Sequence, residues 1–483
     1  MASSSSARRY VGTKESVLYG IANGGQVLGI GFVADYITYF FVNVFHVNPR
    51  YVALMLGLEA IWDTVNDPIM GTLVDKTRTR FGKLRPYLLG VPLPLALSVV
   101  FLFAGPLLVT NPGDKAVSKL IYMTATYFTW EFFYTIGDVP FWSMSSAVSP
   151  NPDDRTRIIT AARFIASIFR GLPSIIMPIL IDMSNSASSS ISLKNVFFGM
   201  GILAGPIGMG LFLLAGIYLK ERVVHNEETP SLRDCINQIL KNPPLRLIIL
   251  KEILMSVSNI SNTYSNYYFI DVLGSASSYI LIGIPATVIS FLAYLFVPVF
   301  KKHFNNRQIV ILSPICRSLI NGFTYLTGLR YYTNRSVMIP LLMLNNALSA
   351  MFDGVNGVVP TEMIGETVDY MEWTTGQRNE GVSFSVLTFV GKFSGAIPRS
   401  LGTYTLPWTG YQTSPDNAII PQTAATKRNI WFMYMASPVL LRFLGIIPMF
   451  FYDLVGEKRQ RMLDELAVRR AKLAHEVSSG GEQ

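Results

Sequence analysis

Three carboxylates recur at every fourth position in one apolar stretch of the chain. Glu59, Asp63 and Asp67 lie in the run EAIWDTVNDP, which starts at residue 59 and also contains Asn66. A helix places residues four apart on one face, where like charges repel unless a cation or a proton joins them. Carboxylate and amide oxygens are donors that suit a hard cation, so Asp63, Asn66 and Asp67 predict a site for an ion such as Na⁺. A structural role is the alternative, in which the acids pair with Arg163 or Lys392.

A second candidate site surrounds Asp138. Tyr134 and Trp142 lie four residues before and after it, so a helix presents all three on one face. Gly137 and Pro140 can loosen this helix and free backbone carbonyls. An aromatic ring beside a carboxylate suits a sugar, because the ring stacks on the pyranose while the carboxylate accepts from hydroxyls. Simple apolar packing of Trp142 is the alternative.

Motifs for enzymatic chemistry are missing from the sequence. The four His and two Cys have no zinc-ligand spacing, and there is no nucleophile triad or phosphate-binding loop. We therefore expect neither an enzyme nor a resident cofactor. An ion gradient is the remaining energy source.

The composition indicates a membrane protein. Of 483 residues, 50% are hydrophobic and 15% charged, whereas soluble domains carry about 25% charged residues. This excludes a soluble enzyme, a disordered chain and a coiled coil. A membrane helix needs about 20 apolar residues. Runs of that length centre near residues 30, 62, 97, 132, 170, 206, 258, 288, 319, 350, 390 and 440.

Basic residues predict the orientation in the membrane. With the N-terminus inside, 26 of the 40 Lys and Arg fall in cytoplasmic segments and 8 in outer loops. Both termini are therefore expected in the cytoplasm, in a plasma or inner membrane, and the charge of +9 needs no nucleic acid partner. The other six lie inside apolar runs: Arg163, Arg170, Arg317, Lys392, Arg399 and Arg442. Arg170, Arg399 and Arg442 are near enough to span ends to reach the interface.

The chain divides into two halves of six spans. We predict an N-terminal bundle over 1–220, a cytoplasmic linker over 221–245, a C-terminal bundle over 246–453 and a cytoplasmic tail helix over 454–483. A short repeat supports this division, since the GDVP segment at 137–140 has a counterpart, GVVP, at 357–360. Two repeated six-helix halves are typical of the major facilitator fold. The predicted fold class is an all-α polytopic membrane protein of twelve transmembrane helices in two six-helix bundles.

Several longer motifs resemble one transporter family, the glycoside–pentoside–hexuronide:cation symporters. Segments 61–71 (IWDTVNDPIMG) and 78–83 (RTRFGK) are similar to the family's second helix and the loop after it. Segment 134–143 (YTIGDVPFWS) resembles the fourth helix, and 163–167 (RFIAS) the fifth. Segment 368–370 with Arg378, Glu380 and Lys392 resembles the tenth and eleventh helices.

The resemblance implies two neighbouring binding sites. Its cation site corresponds to Asp63, Asn66, Asp67, Thr135 and Asp138, with Asp63 and Asp67 as the charged Na⁺ ligands. Its substrate site corresponds to Val27, Tyr134, Asp138, Trp142, Arg163, Thr388 and Lys392. The family's type member has an acid where this chain has Val27, so one negative charge is missing from the substrate site here.

The resemblance also implies a cytoplasmic gate. Arg155 and Arg157, at the start of the fifth span, match the family's gate. Their expected counter-charges are Glu366, Asp369 and Glu372, and Arg378 completes the predicted gate. Ordinary loop charges that face water are the alternative.

The predicted function is secondary active transport of a sugar or glycoside, driven by Na⁺ or alternatively H⁺. A hexuronide is one substrate class that Arg163 and the loss of the acid at Val27 would suit, and a neutral pentoside or glucoside is the other. We expect a monomer in the lipid bilayer. Two alternatives remain open: a Na⁺-coupled lipid carrier of the same fold, and a membrane sensor that does not transport.

Overall fold

The computed structural model describes residues 9–111, 113–149, 151–186, 191–222, 240–376, 380–413 and 420–480. In these ranges the chain is almost wholly helical, and it has no strand beyond one isolated bridge between Thr79 and Gly82. The predicted all-α class is confirmed.

The described part of the first half contains nine α-helices. They are α1 (Thr13–Tyr39), α2 (Pro49–Lys76), α3 (Arg85–Gly90), α4 (Pro92–Phe103), α5 (Gly105–Leu108), α6 (Val117–Ala147), α7 (Pro152–Ser184), α8 (Leu193–Ile202) and α9 (Gly208–Tyr218). A π-helical turn, Phe40–Val44, extends α1, and another, Leu203–Ile207, joins α8 to α9.

Ten α-helices follow in the described second half. They are α10 (Pro243–Ser256), α11 (Ile260–Tyr267), α12 (Ser278–His303), α13 (Asn306–Gly328), α14 (Arg335–Ala350), α15 (Asp353–Thr375), α16 (Glu380–Thr405), α17 (Ala424–Trp431), α18 (Ser437–Phe450) and α19 (Gly456–Gly480). A 3₁₀ turn, Val257–Asn259, joins α10 to α11, and a π turn, Phe432–Ala436, joins α17 to α18.

Each of the twelve predicted span centres lies in a helical segment. Seven stretches of the described residues are long and apolar enough to cross a membrane: 13–44, 154–184, 193–218, 278–303, 306–328, 335–375 and 424–450. Helices α2 and α6 are not among the seven, and they are the helices that carry the carboxylates of the predicted cation site. The fold agrees with the predicted twelve-helix plan.

The chain forms two compact units. The first contains 1–229 together with the short segments 269–280 and 403–423, and the second contains 230–268, 281–402 and 424–483. The predicted domain boundaries placed both short segments in the C-terminal bundle. Of the predicted linker, residues 223–239 lie outside the described residues.

Close packing of α1 against α9 determines the position of the part of α1 that carries Gln26 and Val27. A Cβ added at Gly25 would lie 2.2 Å from the carbonyl oxygen of Gly208, and one added at Gly208 would lie 2.6 Å from that of Gly25. Only glycine allows the two backbones to approach this closely, as is common between membrane helices. Gln26 and Val27 follow directly, so this crossing determines where their side chains lie.

The C-terminal tail helix α19 packs on the second unit. Met462 and Leu466 are fully buried, in a cluster that also contains Val359 and Met363 of α15. The predicted tail helix is therefore present, and one of its faces is part of the core. This packing brings the charged residues of α19 alongside α15.

Candidate cation and substrate site

One face of α2 is both polar and buried. Glu59, Asp63 and Asn66 are all buried, and Asp67 is half-buried. The helix starts at Pro49, and the side chain of Asn48 caps it by accepting from the Arg50 N–H. The four-residue spacing thus produces the expected ladder of oxygens along one side of a well-capped helix.

A matching face lies on α6. Glu131 and Thr135 are buried, and Asp138 is half-buried seven residues after Glu131. The spacing of four and then three residues puts the three side chains on one helical face. Pro140 has no N–H to donate to the carbonyl of Ile136, so the backbone of this helix has a free acceptor near Asp138.

The two faces meet at a cluster of three carboxylates. One oxygen each from Glu59, Asp63 and Glu131 lies within 4.8 Å of the others, and α2 packs against α6 along this side. Carboxylates this close repel one another unless a cation, a proton or a basic side chain is shared among them. From the sequence, Glu59 belongs to the ladder on α2, and Glu131 is either a pathway residue or an acid that pairs helices. Its position one turn before Thr135 places it on the same face of α6 as the predicted cation ligands.

Two neutral side chains next to this cluster have unsatisfied polar atoms. Thr135 is 1% exposed and Asn66 2% exposed, and neither the Thr135 hydroxyl nor the Asn66 amide nitrogen has a hydrogen-bond partner in the described structure. Leaving a buried polar group unsatisfied costs about 1–3 kcal/mol. Such groups are typical of a site that binds a polar ligand.

Asp138 connects this region with the predicted substrate residues. The Gln26 amide donates to its Oδ1 at 2.9 Å, and the Tyr134 hydroxyl also hydrogen-bonds to its carboxylate. Gln26 is almost completely buried. Tyr134 in turn stacks on Trp130, with ring centroids 5.9 Å apart. Residues from α1 and α6 therefore fix the orientation of this carboxylate.

Arg163 of α7 lies over Trp142. Its guanidinium carbon is 5.4 Å from the centre of the indole ring, and the side chain is exposed. Within the described structure this guanidinium makes no hydrogen bond and no ion pair. The arrangement resembles a cation–π contact, which leaves the N–H groups at the edge of the guanidinium available.

The remaining predicted substrate residues give less information. Val27 is half-buried on α1, which packs against α7. Thr388 and Lys392 belong to α16, but their side chains lie outside the described part of the structure. Arg378 lies outside the described residues altogether.

The predicted gate arginines of the first unit bind to groups close to them. Arg157 pairs with Asp154 at 2.8 Å, and Arg155 donates from Nε to the Ser149 carbonyl at 2.7 Å. Asp154 also accepts from the backbone N–H groups of Tyr10 and Val11. These contacts tie the start of α7 to the segment before α1.

The predicted gate acids of the second unit pair with the tail helix. Glu366 accepts from Arg459 Nε at 2.7 Å, while Arg470 pairs with Asp369 at 2.7 Å and with Glu372 at 2.5 Å. Hydrogen bonds to Glu372 and then to Asp369 raise the pKa of Arg470. The sequence analysis did not foresee these partners, although the charged residues of the tail recur at helical spacing. The gate assignment itself stays a prediction.

Comparison with known proteins identifies the family. The family model described as MFS/sugar transport protein matches residues 19–456. The chain belongs to this family. The transporter is thus an integral membrane protein and not an enzyme, and the resemblance to the glycoside–pentoside–hexuronide:cation symporters is confirmed.

Relatives align with this transporter over nearly their full length. It is 28% identical to the uncharacterized symporter YnaJ of Bacillus subtilis (strain 168), with 90% of this chain and 91% of that protein covered. It is 23% identical to the isoprimeverose transporter of Lactiplantibacillus pentosus (95% and 92% covered). It is 24% identical to the glucuronide carrier protein homolog of Escherichia coli (strain K12), with 93% of each covered. The family model, described as a sugar transport protein, favours sugar transport over the lipid-carrier and sensor alternatives.

Solved structures agree with the fold. A bacterial homolog of the human lysosomal transporter Spinster matches with a TM-score of 0.60 at 13% identity, covering 91% of this chain and 95% of that one. The nucleoside transporter NupG matches with a TM-score of 0.58 at 14% identity, covering 91% and 100%. The transporter therefore has the major facilitator fold that its sequence predicts.

Proposed function

We propose that this transporter is a glycoside symporter driven by Na⁺, which binds between α2 and α6. The observation that carries the proposal is the convergence of Asp63 with unsatisfied neutral side chains, Asn66 and Thr135, on facing sides of two packed helices. Asp67, one turn further along α2, completes the proposed set of ligands.

The neutral side chains of Asn66 and Thr135 favour Na⁺ over a proton as the coupling ion. A proton needs only one carboxylate whose pKa is suitably placed. A hydroxyl and an amide add oxygens that a proton does not require but a hard metal cation does. The oxygen and nitrogen of the Asn66 amide are assigned from the hydrogen-bond network. A flip of the amide therefore lets its oxygen face the ion.

Asp138 is the proposed link between ion and sugar. It shares a face of α6 with Thr135, while Gln26 and Tyr134 orient it from the substrate side. A bound cation reduces the repulsion among the acids and favours the arrangement of Asp138 that accepts from sugar hydroxyls. Each ligand then tightens the other by the same factor, and alternating access carries both across the membrane.

Uptake into proteoliposomes tests this proposal. Labelled glycosides are presented with an inward Na⁺ gradient, with a proton gradient, or with neither. Accumulation is expected only with Na⁺, and it should disappear in Asp63→Cys and Asp67→Cys. Asp464→Asn, which removes an exposed carboxylate of α19, is the matched control.

Two outcomes would contradict the assignment. Normal accumulation by either cysteine variant would remove the α2 site from the mechanism. Indifference to Na⁺, together with alkalinisation of the medium when the sugar is added, would make the proton the coupling ion.

An acidic glycoside, such as a hexuronide, is the second candidate for the substrate. Arg163 supports it, because its guanidinium lies on Trp142 without an acidic partner in the described structure. An arginine fork can bind a carboxylate through two hydrogen bonds, which lysine cannot. One relative is described as a glucuronide carrier homolog and another as an isoprimeverose transporter. The relatives are therefore compatible with both an acidic and a neutral glycoside.

Competition decides between the two classes. A glucuronide should inhibit uptake more strongly than the matching neutral glycoside, and Arg163→Lys should reduce that preference. Stronger inhibition by the neutral glycoside, unchanged when Val27 is replaced by Asp, would exclude the acidic substrate.

A further inference from the structure

A partly open cavity with polar and apolar walls lies in the second unit. Its volume is about 370 Å³, and its walls come from α10, α13, α15 and α18 with the 3₁₀ turn after α10. Three basic side chains reach it, Lys251, Arg317 and Arg442, against one acid, Glu252. An ionisable residue within a membrane bundle is expensive, and three around one cavity indicate a function.

Local pairing accounts for only part of this positive charge. Lys251 forms an ion pair with Glu252 at 2.7 Å. Arg317 is 3.6 Å from Asp353, whose other oxygen accepts from Ser290. For Arg442, the described residues offer no acid within 4.0 Å. The cavity therefore keeps a net positive charge beside Arg442.

Both guanidinium groups have unsatisfied N–H groups. Nε of Arg317 and Nη1 of Arg442 are buried and have no hydrogen-bond partner in the described structure. The two like charges line the same cavity. Buried charged donors that lack an acceptor are unfavourable, so the unsatisfied N–H groups of these two arginines favour an acceptor that carries negative charge.

The rest of the wall supplies neutral hydrogen-bonding groups. Ser313 donates to the side-chain oxygen of Asn356 at 2.8 Å, and Thr361 lies one turn further along α15. Pro314 and Pro360 also line the cavity, and neither can donate to the carbonyl four residues before it. The cavity is thus polar on several sides and lies where the helices are irregular.

We propose that this cavity binds a compact oxyanion, a carboxylate or a phosphate, held between Arg317 and Arg442. The planar fork of arginine matches the geometry of such a group, and two forks offer more donors than one oxyanion needs. The volume is ample, since one water occupies about 30 Å³ in the liquid. The two guanidinium groups in the wall favour a small free anion over a lipid tail.

This site does not depend on the proposed Na⁺–glycoside coupling. It belongs to the second unit, whereas the coupling residues belong to the first. A binding measurement without transport therefore tests the two proposals separately.

Binding of inorganic phosphate and of acetate to the purified full-length transporter tests the proposal. Potassium salts keep Na⁺ out, and potassium chloride at equal ionic strength corrects for screening. Phosphate or acetate should raise the midpoint of thermal unfolding in a saturable manner. Arg442→Gln should weaken this binding about tenfold or more, because it removes a charge-assisted pair of hydrogen bonds.

Further variants separate geometry from charge. Arg317→Lys keeps the charge but loses the fork, so it should weaken binding while the protein stays folded. Arg428→Gln, an exposed arginine of α17, is the matched control and should bind as the wild type does. Nanodiscs with phosphatidylglycerol or with phosphatidylcholine distinguish a free anion from a lipid headgroup.

The results have clear consequences. Saturable binding that Arg442→Gln weakens and Arg428→Gln preserves supports the site. The absence of any saturable shift would mean that water alone satisfies the two arginines, and an equal shift in Arg442→Gln would place the anion elsewhere; either result overturns the proposal. Stabilisation by phosphatidylglycerol alone would replace the free oxyanion with a lipid phosphate and overturn that part of the proposal.

Discussion

Two groups of acids in this transporter are built differently. On α15, Glu366 meets Arg459 and Asp369 and Glu372 meet Arg470, so each acid has an arginine of the tail helix as its partner. Between α2 and α6, the carboxylates of Glu59, Asp63 and Glu131 meet one another. In the first group the described residues supply the opposite charges, and in the second group three carboxylates lie close to one another.

The difference suggests different roles for the same residue types. Acids that are paired with arginine hold two helices together and give a rigid contact. Acids that are grouped with each other and with unsatisfied neutral donors favour the binding of a cation. Three predictions test whether this contrast is real.

The largest expected effect comes from the Thr135 hydroxyl. Thr135→Val removes a neutral oxygen from the α2–α6 region and should weaken apparent Na⁺ affinity about tenfold or more, since hydrogen bonds and contacts to charged groups contribute about 1.5–3 kcal/mol. The half-saturating Na⁺ concentration for substrate uptake measures it. Thr135→Ser keeps the oxygen and should retain most of the affinity.

The same substitution on α15 provides the control. Thr367 is completely buried beside Glu366, and its hydroxyl donates to the Ile364 carbonyl. Thr367→Val should leave the Na⁺ dependence unchanged. If both valine variants shifted it equally, the two acidic groups would not differ in the way we infer.

An intermediate effect is expected from neutralising one acid in each group. Glu366→Gln replaces a charge-assisted bond to Arg459. It should lower the free energy of unfolding by at most about 1 kcal/mol, because burial of the carboxylate offsets part of that bond and Arg459 stays partly solvated. Glu131→Gln removes like-charge repulsion and should leave stability unchanged or raise it in Na⁺-free buffer.

Thermal unfolding midpoints in Na⁺-free buffer measure both variants side by side. Opposite or clearly unequal shifts support the comparison. A loss of stability in Glu131→Gln as large as that in Glu366→Gln would indicate that the α2–α6 acids are paired like those on α15.

The smallest effect concerns pH at the tail helix. The side chain of Arg461, and then the indole N–H of Trp373, donate to Glu465 and lower the pKa of its carboxyl group. A lowered pKa in the folded state stabilises the tail helix and its bond to Trp373 above the ordinary value of about 4.3, and this contribution disappears as the pH falls through the folded-state pKa. Tryptophan emission should therefore change on acidification.

Glu465→Gln isolates this contribution from other titrations. The difference between wild-type and variant emission should be constant at neutral pH and should change only in the acid range. A difference that stays constant down to the acid range would show that Glu465 does not hold α19 on α15 through its charge.

Much of the fold could be predicted because the sequence patterns that indicate it involve residues close together in the chain. Twelve apolar runs gave span centres that all fall in helices, and the four-residue spacing of Glu59, Asp63 and Asp67 predicted the polar face of α2. Motifs such as 134–143 predicted the family. These patterns are readable because helix periodicity and the length of a span involve only neighbouring residues.

The tertiary structure alone decided which charges meet. Glu131 joins Glu59 and Asp63 from another helix, and Arg459 reaches Glu366 from 93 positions further along the chain. Arg442 lines the cavity that Arg317 also reaches. Residue types and spacing determine which face of a helix is polar. They do not determine which other face it packs against, because pairing across tens of residues depends on how all the helices fit together.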